Sequence, residues 1–106
     1  SIVAVDIYTL ASTGNDYSIR FWNLKDGTCR KVISKAHSNF ITNLGLIETD
    51  VLVSTSFDGF IKFWSVSNSK LLKEVKNQRG FIYCLSFDGQ GKMFTAGEDQ
   101  LIRIWH

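Results

Sequence analysis

Ser54, His37 and Asp58 are the residue types of a nucleophilic triad, in which an imidazole takes the serine proton and a carboxylate holds the imidazole. Such a serine needs an exposed hydroxyl, often on a Gly-x-Ser-x-Gly elbow, and donors for the oxyanion. Ser54 has neither signal, because it closes the apolar run Val51-Leu52-Val53-Ser54, which reads as the inside of a strand. His37 has no companions at metal-ligand spacing, and Cys29 and Cys84 form no Cys-x-x-Cys pair. Gly89-Gln90-Gly91 reads as a turn between strands and not as a phosphate loop. The expectation is a protein that is not an enzyme and has no metal or cofactor, with a Ser-His-Asp hydrolase as the weakest reading.

A different use for these residues emerges from their repetition. Residues 54–64 read Ser-Thr-Ser-Phe-Asp-Gly-Phe-Ile-Lys-Phe-Trp, and the same frame occurs around Ser12, Asp16 and Trp22 and around Thr95, Asp99 and Trp105. In each copy a Ser or Thr stands four residues before an Asp, and a Trp stands six residues after it. The Asp residues step by 42 and then 41 positions, the Trp residues step identically, and all three tryptophans of the chain occupy this slot. Three residue types recurring together at a period near 40 imply a fold made of copies of one small unit.

Each period alternates apolar and polar residues and is punctuated by turn formers, the pattern of short antiparallel strands. Strands are expected at 2–5, 9–13 and 18–23, at 40–46, 51–55 and 60–65, and at 81–87, 92–96 and 101–105. Fourth strands, richer in Lys and Arg as an outer edge should be, are expected at 28–33 and 70–75. No segment holds a helical period, and no proline interrupts a strand. Four strands in about 40 residues is the blade of a β-propeller. The fold class is therefore all-β, a partial propeller of about two and three-quarter four-stranded blades and about 11 strands, with repeat units 1–35, 36–76 and 77–106. A closed propeller takes roughly four to eight blades. The chain is thus expected to be an arc of a larger ring, completed by further residues, by another chain or by copies of itself.

The Asp-x₅-Trp spacing, the preceding Ser or Thr, and Ala36-His37 in place of Gly-His resemble the WD-repeat family over essentially the whole chain. Asn23, Ser65 and His106 follow the tryptophans where that family usually has Asp. The resemblance implies a buried structural tetrad in place of a triad: Trp64, Ser54, His37 and Asp58 in the middle unit. The counterparts are Ser12, Asp16 and Trp22 in the first unit, and Thr95, Asp99 and Trp105, with Gln78 at the His position, in the third. It further implies that partners are met on the face carrying the loops between second and third strands and those entering first strands. Its contact positions fall on Asn15, Phe57 and Glu98, on Phe40 and Thr42, and on Phe81 and Tyr83. Phe57, before the Asp58-Gly59 turn, is expected to be exposed, while Phe40 and Phe81 could equally pack between blades.

At 106 residues, 44% hydrophobic and 21% charged, the chain has the composition of a packed globular domain. A net charge of +2 is too mild to argue a nucleic-acid footprint, and the basic groups at 25–35 and 70–76 fall on expected outer strands. No stretch is long and apolar enough for a membrane helix, and the opening residues do not form a signal peptide. The expected function is a non-enzymatic scaffold for protein or peptide partners, without a small-molecule substrate, in the cytoplasm or nucleus. A nucleic-acid or ribosome-assembly propeller is one alternative. Another is a ubiquitin-binding propeller, since Phe81-Ile82-Tyr83-Cys84, Ala96-Gly97-Glu98-Asp99 and Ile102-Arg103-Ile104-Trp105 resemble the phospholipase-activating-protein type.

Overall fold

The computed structural model describes residues 1–47, 50–76, 81–87, 92–97 and 102–105, and at 83, 84 and 102–105 the backbone alone. Among the described residues eleven strands form three antiparallel sheets, and none of these residues is helical. The first sheet is β1 (Ile2–Asp6), β2 (Thr9–Thr13), β3 (Ile19–Asn23) and β4 (Cys29–Ile33), in that spatial order. The second is β5 (Ile41–Ile47), β6 (Val51–Ser56), β7 (Phe60–Ser65) and β8 (Leu71–Lys76). The third is β9 (Ile82–Phe87), β10 (Met93–Gly97) and β11 (Ile102–Trp105). Every expected strand is present, with ends shifted by at most one residue.

Each sheet is a meander, and its hydrophobic alternation sends successive side chains to opposite faces. In the middle sheet both faces are covered, so β6 is buried at Leu52, Val53, Ser54, Thr55 and Ser56 alike. Leu44, Leu52 and Trp64 join Val5, Ala11, Ile19, Phe21 and Ile33 of the first sheet in one core. Val53 and Ile61, with Ile47, Phe63 and Val75 beside them, meet Ile82, Leu85, Phe87 and Met93 of the third sheet in another.

The two cores are the same core shifted by one repeat. Adding 42 to Val5, Ala11, Ile19, Phe21 and Ile33 gives Ile47, Val53, Ile61, Phe63 and Val75. Adding 41 to Ile41, Leu44, Leu46 and Leu52 gives Ile82, Leu85, Phe87 and Met93. Among the described residues, apolar surface leaves water between neighbouring sheets and not within a single one.

The copies differ in one compensating swap. Val3 and Leu46 flank the first core, whereas Gly45 and Phe87 hold the equivalent places at the second. A Cβ on Gly45 would run into Phe87 Cε2, and would lie 2.7 Å from Phe87 Cζ and 3.2 Å from Leu85 Cδ2. The larger ring on β9 thus fits because β5 carries no side chain there. Irregularities recur as well: β3 bulges against β4 between Phe21 and Trp22, and β7 against β8 between Phe63 and Trp64. The β3–β4 and β7–β8 turns close alike, with Gly27 and Ser69 in left-handed backbone at φ 74° and 61°.

Gly45→Ala is expected to destabilise the fold by about 1–3 kcal/mol through overpacking. Adding Phe87→Leu, which restores the Leu46 solution, should recover most of that loss in a double-mutant urea-unfolding cycle.

Candidate functional site

The structure brings His37, Ser54, Asp58 and Trp64 into one hydrogen-bonded chain. The Trp64 indole N–H donates to Ser54 Oγ at 2.9 Å, and Ser54 Oγ lies 2.6 Å from His37 Nε2. His37 Nδ1 lies 2.9 Å from Asp58 Oδ2. β7 presents the indole, β6 the hydroxyl, the β6–β7 turn the carboxylate, and the loop entering β5 the imidazole. With Asp58 ionised, His37 donates from Nδ1 and accepts the Ser54 proton at Nε2, so each donor points at an acceptor. Ser54 is 0% exposed and Trp64 6%. A substrate carbonyl cannot reach that hydroxyl, and both imidazole nitrogens are engaged, which leaves neither open to a metal.

Asp58 gathers more donors than His37 alone. The Ser38 backbone N–H reaches Oδ2 at 3.0 Å and the Phe60 N–H reaches Oδ1 at 2.8 Å, and the carboxylate side chain is 5% exposed. Burial opposes its ionisation, but the His37 hydrogen bond, the Phe60 N–H, the electrostatic pull of His37 and the Ser38 N–H outweigh it. Together they lower its pKa from 3.8 to about 2.

In the first sheet the Trp22 N–H donates to Ser12 Oγ at 2.8 Å. Asp16 there is exposed and takes the Ser18 hydroxyl at 2.5 Å and Arg20 Nη2 at 2.6 Å. The Ser18 hydroxyl, working against burial and joined by the Ser18 N–H and Arg20, holds this carboxyl below its ordinary value. In the third sheet Thr95 is buried on β10, while Gln78, Asp99 and the Trp105 side chain lie outside the described residues.

The loop face carries a row of rings. Tyr17 in the β2–β3 turn meets Phe40 edge-on, with centroids 5.4 Å apart, and Phe57 in the β6–β7 turn meets Phe81 at the same separation. The Phe57 backbone N–H donates to the Phe40 carbonyl at 3.0 Å, and Ser56 Oγ donates to that carbonyl at 2.9 Å, which joins the two pairs. Phe40 is 46% exposed and Phe81 38%, whereas Phe57 is half-buried against Phe81. The exposed tip expected at Phe57 is therefore held at a junction between sheets. Asn15 is exposed. Thr42 turns inward, its hydroxyl 2.9 Å from Thr55 Oγ1 and donating to the Ile82 carbonyl at 2.9 Å, so it ties two sheets together. Glu98 and the Tyr83 side chain lie outside the described residues.

A family model described as "WD domain, G-beta repeat" matches residues 27–65 and 69–106. The chain belongs to the WD40 family. An uncharacterised WD repeat-containing protein of Schizosaccharomyces pombe is 30% identical over 95 residues, 86% of this chain and 26% of that protein. Target of rapamycin complex subunit LST8 of Saccharomyces cerevisiae is 26% identical over 99 residues, 91% of this chain and 32% of that subunit. Among solved structures, the WD40 beta propeller domain of Doa1 superposes with a TM-score of 0.89 at 23% identity, covering 100% of this chain and 36% of that one. The RRP9 WD40 repeats superpose with a TM-score of 0.87 at 23% identity, covering 99% and 35%. This WD40 chain spans about a quarter to a third of the length of these relatives and neighbours.

Sequence reasoning missed Tyr17, Phe60, Lys35 and Lys62. Together with His37, Ser38 and Asp58 they line a groove of about 400 Å³ beside the aromatic row. Tyr17 follows the repeat Asp and Phe60 stands two residues beyond it, so the turn itself was the available signal.

Ser54→Ala should cost about 2–4 kcal/mol, because it leaves the Trp64 N–H and the His37 imidazole unpaired in the interior. Ser12→Ala, which removes the part-buried bond from the Trp22 N–H, should cost about 1 kcal/mol or less; urea midpoints compare the two. The depressed Asp58 pKa contributes stability that is complete above about pH 3.8 and is lost as pH falls toward 2. The stability gap between wild type and Asp58→Asn should accordingly narrow by about 1–2 kcal/mol between pH 4 and pH 2 in denaturant titrations.

Proposed function

We propose that this WD40 chain is a non-enzymatic scaffold that binds a protein or peptide through the loop face of its propeller. The observation that carries the reading is the joined row Tyr17, Phe40, Phe57 and Phe81, partly exposed at two successive junctions between blades. Rings held rigid yet open to solvent lose little entropy on association and supply much contact area, which is how interface hot spots work. The Ser-His-Asp set is spent on structure, which supports the non-enzymatic reading. Cys29, a free and exposed thiol, suits a reducing intracellular compartment.

The ring around this arc belongs to the same proposal. Trp64 is buried because the first sheet covers it, whereas Trp22 remains half-buried on the far face of that sheet. A further blade, from the same protein or from another chain, would cover Trp22 in the same way.

Phe57→Ala and Phe81→Ala in the intact protein should each weaken partner capture by about 2 kcal/mol or more, read by quantitative affinity capture and mass spectrometry. Folded variants that capture the same proteins in unchanged amounts overturn the loop-face assignment.

A further inference from the structure

We infer that the groove beside the aromatic row takes an acidic side chain, Asp or Glu, of a peptide segment from the partner. Two lysines line it, and a third stands against the Phe60 ring. Lys35 is exposed on the loop before β5, its backbone set in the left-handed region at φ 49°. Lys62 on β7 is held in place by donating to the Ala36 carbonyl at 2.8 Å. Lys76, exposed at the end of β8, sets its ammonium 4.6 Å from the centre of the Phe60 ring that forms one wall.

Among the described residues, the carboxylates nearby do not use up this charge. Asp58 lines the groove, but its oxygens are taken by His37, Ser38 and Phe60 and its side chain is only 5% exposed. Glu74 lies 3.9 Å from Lys62 and is half exposed, a loose contact that an incoming carboxylate can match. The charge field therefore favours an anion, and placed lysines outside a hydrophobic row give specificity and salt-dependent attraction.

A peptide fits this groove better than a nucleic acid. Stacking of bases needs open ring faces. The Phe60 ring has Lys62 and Lys76 ammonium groups at 5.6 and 4.6 Å, and Tyr17 already meets Phe40. A volume of about 400 Å³ holds a side chain or two and not a strand. The inference rests on the loop-face reading, since Tyr17 belongs both to the aromatic row and to the groove wall.

The test is fluorescence anisotropy on the intact protein with four labelled probes: a phenylalanine-containing peptide with glutamates, its glutamine counterpart, its lysine counterpart, and a short oligouridine. The glutamate peptide should bind at least about tenfold more tightly than the glutamine one, with the advantage shrinking as salt is raised. Lys35→Glu with Lys76→Glu should abolish that preference while tryptophan emission stays unchanged. Lys25→Glu, at the opposite end of the blade beside Tyr8, should leave it intact. Equal binding of glutamate and glutamine peptides, a preference that survives the double reversal, or tighter binding of oligouridine overturns the proposal. Phe57→Ala separates the two readings. If it weakens every peptide while charge reversal does nothing, the groove assignment fails alone; if it changes none while the glutamate preference responds to charge reversal, the row assignment fails alone.

Discussion

The indole of Trp64 sets the terms for the middle of this protein. Its ring belongs in the seam between two sheets, where burying an aromatic of this size contributes on the order of 5 kcal/mol as an upper bound. Its N–H goes with it and cannot be left orphaned. The Ser54 hydroxyl accepts that proton and needs an acceptor for its own; His37 supplies one, and Asp58 then fixes the imidazole. Each partner comes from a different strand, turn or loop, so satisfying one donor fastens β6, β7 and the chain entering β5 at once. In the first sheet, Asp16 is turned to Ser18 and Arg20 instead.

Much of this was readable without coordinates, because the repeat supplied three noisy copies of one pattern. The strands were legible from alternation and turn residues, and Ser54, Asp58 and Trp64 from their fixed intervals. His37 followed from resemblance to a family, since nothing in its local sequence ties it to residues 17 and 21 positions away.

What escaped the sequence depends on how adjacent blades dock. Phe57 looked like a free turn residue because its partner Phe81 lies one blade further on. Thr42 sat at a contact position by resemblance, yet the neighbouring strand offers it the Ile82 carbonyl and turns it inward. The groove is assembled from the β2–β3 turn, the loop before β5 and strand β7, and no local pattern joins Tyr17, Lys35 and Lys62. Left-handed backbone at Tyr17, Lys35 and Ser69 was equally hidden, since none of them is glycine.

The equivalence of the two inter-sheet cores, position for position, bears on how such a chain can lengthen or shorten. Because the leading face of one unit meets the trailing face of the next through corresponding side chains, duplication of a whole unit brings a ready-made seam on each side. A one-residue slip inside a strand would instead invert every face at once. Gene-level growth or loss in whole modules is thus the mutational path that this architecture tolerates most readily.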